Sequence, residues 1–397
     1  MNNKKKNIAM IVYSHFESDV RVKREAYSLS SEGYNVYCIS LRLKNEERYE
    51  DRNGVKVIKL FKWLSIIPKG SLLRYIIGSS LFILASFIEL LKIKKSKVNF
   101  HVIHIHNPPD HLILSGLLFK WIYNATLVLD RHEPFALQIV SNLGKSEESI
   151  LYKILSAYEC IVYKFVDYFI VVNNIEKNDV RLITNNKPVY TIRNSFNNTI
   201  NNNKIQGRER VENEHHFLIL YQGFISERRD IDTLIEAIDI LRKKYSDIRC
   251  YIIGDGDYLQ KSIDMVKKRG LSSFIYFLGW LEQNELFKFI ERSHVCLITL
   301  KNIPVYQRAT PNKLFEYMYF KKPIIAADLP LIRNLSENQC ELYEPGNSKD
   351  LAKKIIKIRE NMTLFKKKTE EYEKILSKNL WVVDEKKLIL MYRKIIG

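Results

Sequence analysis

Cysteine is scarce in this sequence and never paired. The five cysteines, Cys38, Cys160, Cys250, Cys296 and Cys340, are scattered over 397 residues with no C-x-x-C spacing. That pattern argues against a disulfide scaffold and a cysteine-built zinc site, and suits reduced core thiols. No long apolar run is present either. The longest uncharged stretch, Tyr75–Ile88, is interrupted by Gly78, Ser79, Ser80 and Ser86, short of the roughly 20 apolar residues a spanning helix needs. The lysine-rich start leads directly into the strand-like Ile8–Tyr13, without the apolar region and cleavage site of a signal peptide, so a cytoplasmic location is expected.

Nucleotide-binding fingerprints are also missing. Gly254-Asp-Gly256 has Leu259 where a third glycine belongs, and Gly144-Lys-Ser146 has Ile139 where a P-loop needs its first glycine. No Ser/His/Asp order or Cys/His pairing stands out. His104 and His106 share a strand face, but no third metal ligand is evident, so no metal is expected. Basic residues are spread along both halves rather than gathered into one module, so nucleic acid is not an expected partner.

What is present fits a globular protein with anionic ligands. Hydrophobic residues make up 46%, charged residues 27%, and the net charge is +18. The length suits two domains. Asn7–Tyr13 reads as a strand, Val20–Glu32 as a helix stopped by Gly33, and Asn35–Leu41 as a second strand. This β-α-β rhythm continues to Val189–Ile192 and restarts at Phe217–Gln222. It predicts an α/β protein of two Rossmann-like domains facing a central cleft. The expected divisions are a first domain over residues 1–194, an asparagine-rich linker over 195–214, a second domain over 215–378, and a closing helical piece over 379–397 that packs back on the first. Residues 69–97 are apolar with flanking lysines, a candidate for core packing or for peripheral contact with an anionic membrane.

Several residues stand out as candidates. Arg308–Asp328 reads as a loop, a helix and a buried strand, with Thr310 as N-cap and Pro311 at the first helical position. Lys313 and Glu316 then share a helix face. A lysine in the first turn suits a bound phosphate there, with the carboxylate one turn on for hydroxyl groups. An amphipathic helix with solvated charges is the alternative. Asp19 is placed to cap the first helix, which puts Arg21 near the strand ends. His132 follows the strand Thr126–Asp130, at the carboxyl end where α/β proteins keep their chemistry.

Taken in order, Ser14-His-Phe-Glu-Ser-Asp19, His104-Ile-His-Asn-Pro-Pro-Asp110, Leu129-Asp-Arg-His132, Tyr221-Gln-Gly223, Ile253-Gly-Asp-Gly256, Phe277-Leu-Gly279 and Pro311-Asn-Lys-Leu-Phe-Glu316 span the chain. The set resembles the family 4, or group 1, glycosyltransferases. The resemblance implies the GT-B fold and sugar transfer from a nucleotide donor with retention at the anomeric carbon, without a bound metal or other cofactor. The first domain would then serve the acceptor and the second the nucleotide sugar. The resemblance implies that Glu316 holds the donor ribose and that Thr310, Pro311, Asn312 and Lys313 hold the diphosphate and sugar. Arg229 falls where the family has a basic residue on the diphosphate, and His132 matches a histidine contacting the donor sugar. Arg21, Gly223, Gly254, Gly256, Gly279 and Arg308 complete the expected donor-binding set. Two positions depart from the pattern: Arg308 stands where the family often has a second glutamate, and Phe224 where an arginine often follows the glycine.

The function expected from these observations is a retaining hexosyltransferase-like enzyme acting on a nucleotide sugar, UDP-linked ahead of GDP-linked. Its acceptor would be a glycan or lipid-linked molecule of cell-surface polysaccharide or glycolipid synthesis. Two other readings stay open at this point: a nucleotide-sugar 2-epimerase of the same fold, and a non-catalytic protein binding anionic membrane or nucleic acid.

Overall fold

The structure is a computed structural model and describes residues 5–62, 72–195 and 216–397. The linker expected over 195–214 lies almost wholly outside the described residues, as do residues 69–71 of the basic-flanked stretch.

The strands are β1 (Asn7–His15), β2 (Asn35–Leu41), β3 (Tyr49–Arg52), β4 (Val55–Leu60), β5 (Val102–His106), β6 (Thr126–Arg131), β7 (Tyr168–Val171), β8 (Val189–Thr191), β9 (Phe217–Gln222), β10 (Ile248–Ile253), β11 (Ile275–Gly279), β12 (Val295–Ile298), β13 (Ile324–Ala327) and β14 (Glu341–Tyr343). The helices are α1 (Val20–Ser31), α2 (Leu72–Lys95), α3 (Ile113–Tyr123), α4 (Phe135–Asn142), α5 (Ile150–Tyr163), α6 (Asn174–Ile183), α7 (Ile231–Leu241), α8 (Leu259–Lys268), α9 (Gln283–Arg292), α10 (Pro304–Gln307), α11 (Asn312–Tyr319), α12 (Pro330–Ser336), α13 (Ser348–Glu360), α14 (Met362–Lys368), α15 (Tyr372–Lys378) and α16 (Trp381–Ile396).

The chain divides into two compact units, residues 1–194 with 382–397, and residues 195–381. The first unit has a sheet of order β3-β4-β2-β1-β5-β6-β7-β8, parallel except for the β3–β4 hairpin. The second has order β11-β10-β9-β12-β13-β14, all parallel. Each order reverses once, between β1 and β5 and between β9 and β12. Loops leave a doubly wound sheet in opposite directions at such a point, which opens a crevice at the strands' carboxyl ends.

Burial on both faces explains the near-continuous apolar strands, such as Ile8–Val12 and Leu127–Leu129. On one face of the first sheet, α2, α3 and α5 supply Phe82, Leu90, Phe119, Tyr123 and Val162 to a single core with Ile11, Ile103 and Leu129. On the other, α1 and α16 lie together: Ser28 donates to Glu385, and Arg393 pairs with Glu32 at 2.7 Å. Asp19 caps α1, its side chain accepting from the Val22 N–H. The hairpin before β4 is absent from the sequence expectations. It turns at Asn53-Gly54, with φ of 50° and 78°, the positive pair that a two-residue hairpin turn requires.

Candidate active site

The second unit's candidate residues gather where β9 ends. There the main chain laces three strand ends together: the Gly223 N–H donates to the Ile253 carbonyl at 2.9 Å, and the Gly254 N–H to the Gly279 carbonyl at 2.8 Å. A Cβ on Gly254, whose φ is +143°, would stand 1.9 Å from the Gly223 carbonyl oxygen, and one on Gly256 would stand 2.1 Å from that of Ile225. Backbone occupies the space of both side chains, so only glycine fits. Gly254, Gly256 and Gly279 thus build the floor of the crevice through their main chain.

Lys313 and Glu316 rise from α11 on either side of Gln222. The Lys313 ammonium donates to the Gln222 carbonyl and lies 4.3 Å from the centroid of the Tyr221 ring. The Gln222 side-chain amide donates to Glu316. A Cβ on Gly223 would come within 2.7 Å of the Lys313 Nζ, so the bare glycine leaves the ammonium its place. Burial, and then the nearby Arg229 guanidinium, hold the Lys313 pKa well below its usual value, with Glu316 opposing them. A cation kept in that state gains from any anion brought to it.

Thr310 and Pro311 sit one position away from their expected roles. Pro311 is itself the N-cap of α11, with φ −76° and ψ 110°, and Asn312 is the first helical residue. A proline cap offers no side-chain oxygen, and Thr310 does not replace it: its buried Oγ1 has no hydrogen-bond partner among the described residues. The same holds for the buried Nε of Arg229. Arg229 ends a short 3-10 turn (Glu227–Arg229), with its guanidinium 4.9 Å from the Tyr306 ring centroid. Unmet buried donors are costly in an empty protein. Here a hydroxyl and a guanidinium accompany an exposed Asn312 at the start of a helix, where main-chain N–H groups also lack intrahelical partners. The arrangement suits an oxyanion ligand. Arg308 closes α10 and is half-buried, while Phe224 is exposed.

In the first unit, His132 belongs to a buried cluster that the sequence did not disclose. Its Nε2 lies 2.9 Å from Asp130 Oδ2 and 3.3 Å from His106 Nδ1. Its main-chain N–H donates to Asn107 Oδ1 at 2.6 Å, and the Asn107 amide donates to Asp110 and to the Glu133 carbonyl. Arg21, expected to reach a ligand, does not point outward. Its Nε and an NH2 group hold both Asp130 oxygens at 2.7 Å, a third nitrogen donates to the Ile192 carbonyl at 2.9 Å, and Glu25 lies 3.2 Å away. Arg21 therefore positions Asp130, and Asp130 in turn fixes the His132 ring. Burial alone would raise the Asp130 carboxyl, but Arg21 and the two histidines hold it well below the usual range. Glu25, buried beside Asp130 and sharing its guanidinium, is pushed well above. Burial also lowers His104 and His106.

Glu25, His104, His106 and Asp130 place their ligand atoms within 4.8 Å of one another, so the carboxylates that the sequence did not reveal beside the histidine pair are present. Arg21 already supplies positive charge to both, which opposes a second cation there. His104 is also engaged by the Tyr392 hydroxyl of α16 at 2.7 Å. Sequence reasoning gave no role to Asp130, Asn107, Gln222 or Tyr221, and weighed His106 only as half of a metal pair with His104. The available signal was a polar side chain ending an otherwise apolar strand.

Comparison with known proteins extends these observations. Residues 202–375 match the family model for glycosyl transferases group 1, and residues 19–198 that for glycosyltransferase family 4. An uncharacterized glycosyltransferase of Methanocaldococcus jannaschii is 25% identical over 253 residues, 60% of this chain. The match spans 58% of that relative's length. Among solved structures, sucrose-phosphate synthase of Thermosynechococcus elongatus has a TM-score of 0.79 at 17% identity, covering 98% of this chain and 99% of that one. HepE of Anabaena, in complex with UDP and glucose, has a TM-score of 0.69 at 15% identity, covering 98% and 100%.

Proposed function

This chain belongs to the group 1 glycosyltransferases of GT-B fold, and we propose that it is a retaining enzyme moving a hexose from a UDP-sugar to a glycan or lipid-linked acceptor hydroxyl. The observation that carries the reading is the set of positive and donor groups around the β9 end: Lys313, Arg229 with its unmet Nε, and the unmet Thr310 hydroxyl. They match a diphosphate leaving group. Glu316, held by Gln222, is assigned the ribose hydroxyls. The complexes of HepE with UDP and with UDP-glucose support a uridine donor by analogy.

In this reading the acceptor oxygen bonds to the anomeric carbon on the face from which the diphosphate departs. The bond from that carbon to the diphosphate oxygen breaks, and a diphosphate oxygen takes the acceptor proton. Fixed cations aimed at the departing charge lower the barrier because they need no reorganisation at that moment. His132, locked by Asp130 and Asn107, is assigned the donor sugar. A product in a cell-surface polysaccharide or glycolipid is the proposed destination.

The test is release of nucleoside diphosphate from a panel of UDP- and GDP-sugars, with and without candidate acceptors. Lys313→Ala and Glu316→Ala should each remove most turnover. Full turnover in both would refute the assignment. Sugar conversion without any acceptor, seen by NMR, would instead indicate a 2-epimerase.

A further inference from the structure

Three helices on one face of the first sheet carry a second apolar surface, turned away from the core. On α2 it is Ile77, Leu81, Leu84 and Ile88, spaced i, i+4, i+7, i+11 and all exposed. The same spacing puts exposed Leu114, Leu118 and Trp121 on one side of α3, and exposed Ile150, Ile154 and Ile161 on one side of α5. Trp121 is 67% exposed and Ile150 77%. Single exposed apolar side chains need no explanation, but three stripes on one layer of helices do.

The helices also share a polarity of charge. Each runs back from a strand's carboxyl end, so their C-termini lie together: Lys94 donates to the Ile122 carbonyl at 2.8 Å, and Lys120 to that of Phe165 at 3.0 Å. Exposed Lys92, Lys95, Lys97 and Lys164 surround this end. The α2 stripe runs on, at the same spacing, into Lys92 and Lys95. The only acids within the three helices, Glu89 and Glu159, are both buried. A second copy of this chain would bring the same lysines and no acid from these helices to meet them. No helix among the described residues is long and apolar enough to cross a membrane, so the surface suits contact in the bilayer plane.

We propose that the outer face of α2, α3 and α5 docks on an anionic lipid bilayer, its apolar stripes entering the headgroup boundary and the clustered lysines meeting lipid phosphates. The surface is broader than the 69–97 stretch, because α3 and α5 contribute two of its three stripes.

The full chain should co-sediment with phosphatidylcholine vesicles containing phosphatidylglycerol, far less with phosphatidylcholine alone, and be released by salt. Its tryptophan emission should shift to the blue on binding, and the shift should shrink in Trp121→Phe. Leu84→Gln with Ile154→Gln, and separately Lys95→Gln with Lys97→Gln, should each weaken vesicle binding about tenfold or more while the circular dichroism spectrum stays unchanged. Equal binding to both vesicle types, or binding indifferent to these changes, would overturn the proposal. So would a dimer seen in sedimentation velocity that Leu84→Gln with Ile154→Gln dissolves while the native chain ignores vesicles; the face would then join two copies.

Discussion

Replacing Lys313 by methionine should separate stability from binding. Methionine keeps the volume of the lysine stem and removes the charge. The native ammonium gains from the Gln222 carbonyl and from the Tyr221 ring at 4.3 Å, a cation–π contact worth about 0.5–2 kcal/mol. Burial and Arg229 oppose the charge and push the lysine's pKa down. Losing the charge and losing the donor to the Gln222 carbonyl therefore act in opposite directions, and the variant should change stability in thermal melts by no more than about 1 kcal/mol. Binding should change far more, since a hydrogen bond between charged partners contributes about 1.5–3 kcal/mol. Its loss weakens UDP binding about 10- to 150-fold, read by titration calorimetry. The sign with pH follows: a diphosphate restores the lysine's proton, so binding takes up a proton and weakens as pH rises above the depressed pKa. In Lys313→Met that pH dependence and proton uptake should vanish. Undiminished UDP affinity, or a stability loss above about 1 kcal/mol, would refute the reasoning.

Three other outcomes follow from the same structure. Gly254→Ala should cost at least about 3 kcal/mol in urea denaturation, because a Cβ 1.9 Å from the Gly223 carbonyl oxygen at φ +143° forces the strand ends apart. Arg21→Ala should cost about 3–5 kcal/mol by leaving Asp130 buried without its guanidinium partner. Arg21→Lys should recover only part of that in the same denaturation assay, lacking the two-nitrogen fork. A thiol reagent at mildly alkaline pH should modify Cys160 alone in the native chain and all five cysteines after denaturation. Burial pushes the Cys38 and Cys250 thiols far up, and those of Cys296 and Cys340 to about 12.

Much of the fold was legible because apolar period and turn residues agree with it. β2 and β9 match their expected limits, α16 lies within the closing piece expected over 379–397, and α1 ends one residue short of expectation, at Ser31. The polar Tyr49–Arg52 strand was missed because it is a solvated edge, although Asn53-Gly54 announced its turn. In the candidate site, Lys313 and Glu316 were legible as a pair on one helix. Their shared partner Gln222 was not, because 91 and 94 residues of chain separate it from them. Arg21 was read as facing a ligand from its place in a first turn. Its burial against Asp130, 109 residues away, depends on strand order, which local pattern does not carry.

The return of the chain has a consequence for the order of assembly. α16 is made after the whole of the second unit, yet it completes the first: Tyr392 seals His104, and Arg193 pairs with Asp384 at 3.1 Å, joining the residues by which the chain leaves that unit and re-enters it. On a ribosome the second unit has its full sequence while the first still lacks one wall. Until α16 arrives, the charged pocket of Glu25, His104 and Asp130 stands open to water.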